Sequence, residues 1–165
     1  MISIRKTPVP ANSMLGKYTS VAGAYTDCYV TEIPFNVTFP EYVFAFYTTS
    51  LFKLERTILK FTVFKPSTDM DAKNLAHSLT DKFAAWTVES RSDDEILLCD
   101  FLSCTRSWLM VEKAEGATIL YFGSAVVPKK GSEGLGSLSI LLLGFHQVYS
   151  VLLLYFAKRR LLPKR

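Results

Sequence analysis

One histidine stands in a run dominated by apolar residues. His146 is one of only two histidines in the 165-residue chain, and Gln147, Tyr149 and Ser150 follow it within the apolar stretch 138–157. Ser150 lies one helical turn beyond His146, so an imidazole and a hydroxyl can face the same space. There His146 could donate to or accept from a ligand head group, or act as a general acid or base. A structural histidine bonded to a strand carbonyl or carboxylate accounts for the same residues. His77, beside the polar face of a second helix, reads as solvated.

Arg106 is the other candidate. Strand alternation puts it on one face with Trp108 and Met110, where a guanidinium could receive a carboxylate or phosphate while the apolar part of a ligand packs alongside. The alternative is an ion pair with Asp100, Glu89 or Glu112. Asp100, set between Cys99 and Phe101, is the first choice of partner, because a carboxylate on an apolar strand needs a counter-charge.

Other chemistries lack their residues. Cys28, Cys99 and Cys104 include no Cys-x-x-Cys, and Cys99 and Cys104 fall on opposite faces of a continuous strand, so they read as small core residues and no metal site or cofactor is expected. The glycine-rich segment 131–137 keeps two glycines of a phosphate loop but not its lysine, and reads as a flexible hinge. Neither a G-x-S-x-G elbow nor an H-E-x-x-H pair occurs. The net charge of +4 is modest, its basic residues gather at the C-terminus, and no zinc-finger spacing or RNA-binding aromatic signature is present, so no nucleic-acid partner is expected.

The elements that must position these residues follow from pattern. Residues 1–24, with Pro8, Pro10, Gly16 and Gly23, read as an irregular N-terminal arm, and 24–33 as a strand. Thr38, Pro40 and Glu41 form a helix start of capping-box type, with Val43, Phe46, Tyr47, Leu51, Leu54, Ile58 and Phe61 near helical spacing. Thr48, Thr49 and Ser50 can kink or split that helix by bonding their own backbone. After Pro66 a second helix, capped by Ser67 or Thr68, carries Leu75, Ala76, Leu79 and Phe83 on one face. Four strands follow at 86–91, 95–101, 105–113 and 117–127, with Glu115 and Gly116 at the last reversal. A long helix begins near Leu138. Several strands are apolar on both faces, so the second face should meet another subunit, a lipid or more of the chain. The reading is one α+β domain over 25–162, with a basic tail at 163–165.

The apolar stretch 138–157 ends at Lys158, Arg159 and Arg160. About 20 apolar residues could just cross a bilayer core of ~30 Å. His146, Gln147, Tyr149 and Ser150 disfavour a lone span, because each would need a partner inside lipid. A buried helix that completes the core is preferred, and an interfacial helix is the other option. With no signal-peptide core at the start, the expected location is cytoplasmic, with membrane association as the variant.

This order of elements resembles the helix-grip fold of the START-like, or SRPBCC, ligand-binding superfamily, in which a curved antiparallel sheet grips a long C-terminal helix around an apolar cavity. The motifs Thr105-Arg106-Ser107-Trp108, Tyr121-Phe122-Gly123-Ser124-Ala125 and Gly144-Phe145-His146-Gln147-Val148-Tyr149-Ser150 resemble an uncharacterised bacterial family of that superfamily. The superfamily has six or more strands where five are counted here, so one should be hidden in the arm or in 59–64. The resemblance implies a cavity for an apolar or amphipathic small molecule and carries over no catalytic residue. Phe46, Trp86, Trp108, Tyr121, Phe122, Phe145 and Tyr149 would then supply wall, and Arg106, His146 and Ser150 orientation. Two other expectations stand beside it. One is an enzyme using that cavity with His146 as acid or base. The other is an interaction module, docking through the last helix on a membrane surface or through the sheet in a homodimer.

Overall fold

Thr38 begins the first helix through a reciprocal pair of bonds. Its hydroxyl accepts the Glu41 amide at 3.4 Å, and the Glu41 carboxylate accepts the Thr38 amide at 2.7 Å. This capping box satisfies two of the donors that a helix start leaves unpaired. In the computed structural model the run that follows is two helices, α1 at Phe39–Tyr47 and α2 at Ser50–Thr62. The threonines divide them. Thr48 donates to the Phe44 carbonyl at 2.6 Å, while the Thr49 hydroxyl accepts the Phe52 amide at 3.1 Å and caps α2. A second capping box, Thr68 with Asp71, opens α3 at Asp69–Ala76. That helix is shorter than the sequence suggests: Leu79 is exposed and Phe83 belongs to a strand.

The structure describes residues 4–62, 64–128 and 137–163, of which 58–62 and 137–145 are described by backbone alone. The hinge expected at 131–137 therefore falls, except for Ser137, outside the described residues. So do the side chain of Phe145 and the ends of the tail, Lys164 and Arg165.

Seven antiparallel strands form one sheet, and the fold is α+β. They are β1 (Arg5–Lys6), β2 (Tyr25–Ile33), β3 (Lys82–Phe83), β4 (Trp86–Arg91), β5 (Glu95–Asp100), β6 (Thr105–Ala114) and β7 (Ala117–Val126), in spatial order β1-β2-β7-β6-β5-β4-β3. Five had been counted from the sequence. The two additions are β1, in the arm, and β3, just after α3; each is only two residues long. Residues 59–62 are helical instead. α4 (Ser137–Leu161) closes the chain.

The sheet is buried on both faces. Tyr29, Ile33, Leu98, Leu109, Leu120 and Phe122 pack with α1, α3 and α4 in the larger core. On the opposite face Leu97, Trp108 and Ala125 pack under Leu15 and its neighbours Val9, Met14 and Tyr18. The arm thus covers the second apolar face, so "more of the chain" is what meets it. Two polar contacts fix it there: Glu95 Oε2 accepts from the Met14 amide at 2.9 Å and from the Trp108 indole at 2.7 Å. Gly123 makes the close approach possible, because a Cβ there would stand 2.6 Å from Leu15 Cδ2 and 2.9 Å from the Asp27 carbonyl oxygen.

Candidate functional site

A cavity of about 500 Å³ opens on the helical side of the sheet, between α2, α4 and the β5–β6 hairpin. Each wall derives from a local feature already described. The Thr49 cap starts α2 so that Leu51, Phe52 and Glu55 line the cavity, with Leu54 at its rim. Phe52 is held by edge contact with Tyr47 and by stacking on Phe83. From the sheet come Trp86, Ser107, Phe122 and Ser124, and from α4 come His146, Tyr149 and Leu153. Phe101 and Leu54 are about half exposed at 49% and 58%, and both border the opening. The lining is overwhelmingly apolar, with a few polar groups set into it.

His146 is one of those groups. Its Nε2 lies 2.6 Å from Ser124 Oγ, and Ser124 in turn donates to Asp27 Oδ1 at 2.5 Å. Since the single hydroxyl hydrogen goes to Asp27, His146 donates from Nε2, which leaves Nδ1 as the acceptor of the ring. Burial holds the imidazole below its usual pKa, against the pull of the Asp27 carboxylate. The serine sits in the middle of this chain. Its proton is committed to the acid, so the arrangement differs from the relay in which histidine activates a serine nucleophile.

These contacts also explain the polar residues in the middle of α4. Gln147 Nε2 donates to Tyr25 OH at 2.8 Å, and Tyr25 OH lies 3.3 Å from Asp27 Oδ2. One end further along, Lys158 donates to Thr31 Oγ1 at 3.0 Å. His146, Gln147 and Lys158 thus find partners on β2 or β7, which fastens the helix to the sheet at both ends of this stretch. Among the described residues no helix is long and apolar enough to cross a membrane.

Glu55 is the second polar group. Its carboxyl accepts the Tyr149 hydroxyl, and burial raises its pKa while that hydrogen bond opposes the rise. Burial likewise pushes the Tyr149 phenol up, and the neighbouring Glu55 adds to it. The flanking cations of α2 point elsewhere: Lys53 and Arg56 both bond Asp69, at 2.6 and 2.8 Å.

Of the residues expected to share a site, the structure brings His146 and Tyr149 together on the cavity wall. Ser150 is fully buried beneath them, its hydroxyl without a partner among the described residues. Trp108 and Tyr121 stand on the other face, with the arm: Trp108 bonds Glu95, and Tyr121 bonds Glu112 at 2.8 Å. Arg106 borders the cavity, but its guanidinium turns to that same other face, with Nε 2.6 Å from Glu89 Oε2 and 2.8 Å from Tyr18 OH. Glu89 is thus its partner. Asp100, the first choice from sequence, instead accepts the Cys104 and Thr105 amides at 2.8 and 2.9 Å and shapes the hairpin turn. Three residues of the arrangement were not singled out in the sequence: Asp27, Ser124 and Glu55. A carboxylate centred between Tyr25 and Tyr29 on a strand, and one four residues after Leu51 on an amphipathic helix, were the available signals.

Comparisons with protein-family models, with curated proteins and with solved structures found no match to this chain.

Proposed function

We propose that the protein binds one apolar or amphipathic small molecule in the cavity between α2, α4 and the sheet. The observation that carries this reading is the cavity itself: about 500 Å³, walled by Phe46, Phe52, Trp86, Phe122 and Leu153, and interrupted by polar groups at His146 and Glu55. Its volume falls within the ~300–1,000 Å³ of small-molecule pockets, and a few polar groups in an apolar wall orient a ligand without dominating its affinity. The connectivity supports the resemblance to the helix-grip fold. Helices α1–α3 lie between β2 and β3, five strands then run as a meander back to β2, and α4 lies across the sheet. In this reading the Asp27–Ser124–His146 chain holds α4 in place as one wall and presents an imidazole to the ligand.

Native mass spectrometry of protein purified without detergent tests it. The expected spectrum shows a small molecule retained at one per chain and released on denaturation. A clean protein mass, with no saturable uptake of added apolar compounds, would overturn the reading.

A further inference from the structure

The Glu55 carboxyl faces a cavity rich in aromatic rings, and among the residues whose side chains are described no lysine or arginine pairs with it. The nearby candidates are all engaged. Lys53 and Arg56, on the same helix, bond Asp69; Arg56 also donates to the Ser67 carbonyl at 2.8 Å. Arg106, at the border of the cavity, is paired with Glu89. His146 is on the wall, but its Nε2 is taken up by Ser124. Asp100, the other carboxylate on the lining, is occupied with turn amides. Among the described residues, Glu55 keeps the Tyr149 hydroxyl as its hydrogen-bond partner, and the rings of Phe46, Phe52, Trp86 and Phe122 line the same cavity.

Aromatic faces attract cations, and a carboxylate in an apolar-lined pocket is stabilised by one. An anionic head group entering here would meet a carboxyl with no counter-charge to share. We infer that the ligand is an amphipathic amine, whose ammonium group pairs with Glu55 among the aromatic rings while its apolar part fills the rest of the cavity. This inference rests on the reading of the cavity as a small-molecule site. Burial raises the Glu55 pKa, and an ammonium ion paired with the carboxylate would stabilise its ionised form and oppose that rise.

Three probes of equal chain length separate the possibilities: dodecylamine, dodecanol and dodecanoate, each titrated calorimetrically below its micellar concentration into wild type and Glu55→Gln at neutral pH. The amine should bind roughly tenfold or more tighter than the alcohol, a preference of about 1.4 kcal/mol, and Glu55→Gln should abolish it while leaving the alcohol nearly unchanged. Alcohol or dodecanoate binding as tightly as the amine would overturn the inference and leave the cavity reading intact. An amine preference that survives Glu55→Gln would overturn it too. If none of the three binds saturably, both fail together. Should the glutamine variant not fold, the wild-type order of affinities decides.

Discussion

Ser124 and His146 meet where β7 and α4 cross, with the serine Oγ 2.6 Å from the histidine Nε2. Behind this contact lies Asp27, a carboxylate only 2% exposed, to which the same hydroxyl donates. Among the described residues, removing the hydroxyl would leave the Asp27 carboxylate only the longer contact to Tyr25. Ser124→Ala should therefore cost about 1–3 kcal/mol, the penalty for a buried group that loses its partner. His146→Phe keeps much of the ring volume and leaves Ser124 bonded to Asp27, so it should cost less. Urea unfolding of both variants checks the order. A neutral Ser124→Ala would show that the chain does not hold α4.

Stability should depend on pH through two groups of opposite sign. His146 is depressed below its ordinary 6.5, because burial disfavours the imidazolium. Between its folded value and 6.5 the unfolded chain binds more protons, so stability is lost as pH falls below about 6.5. Glu55 is raised above its ordinary 4.5 by burial. There the folded chain binds more protons, so its contribution is complete below about 4.5 and is lost as pH rises through the raised folded value. His146→Gln should flatten the acid-side loss and Glu55→Gln the loss on the other side. Unfolding free energies measured from about pH 4 to 8 separate them; unchanged slopes in both variants would contradict the burial of these groups.

The arm should be as much a part of the core as the helices. Leu15 is fully buried against Trp108 and Ala125, so Leu15→Ala should destabilise by about 2–5 kcal/mol. Gly123→Ala attacks the same contact from the sheet. Its Cβ would press on Leu15 and on the Asp27 carbonyl oxygen, at a cost of about 1–3 kcal/mol. Because Leu15 is shared, the double variant should lose less than the sum of the two. Strict additivity, or a Leu15→Ala loss below about 0.5 kcal/mol, would mean the arm merely rests on the sheet.

Helix starts and long strands were legible because their signals are local. Thr38 with Glu41 announces α1, the threonine pair announces its break, and Gly116, at φ 69°, announces the β6–β7 turn. β1 and β3 were not, since two residues carry no periodicity. For the site, the alternation of β6 correctly parted Trp108 from Leu109, which lie in different cores. It could not say which side held the cavity, because period-two patterning sorts residues into faces without naming what covers each. Hence Trp108 and Tyr121, expected as cavity wall, stand on the face that the arm covers. His146 was visible by rarity of type. Ser124 and Asp27, brought together from β7 and β2, become a pair only through strand register: Asp27 lies directly opposite Ser124.

The most direct measurement is titration of Nile red, a neutral apolar fluorophore, into wild type and Ala85→Phe. Ala85 is buried on the cavity lining, so a phenyl ring there would occupy the volume a ligand needs. Thermal melting would establish that the variant is folded. Wild type should saturate at one fluorophore per chain, and the filled variant should bind at least about tenfold more weakly, a loss of about 1.4 kcal/mol. Equal binding by both folded proteins, or saturable binding by neither, would contradict a ligand cavity beneath α4.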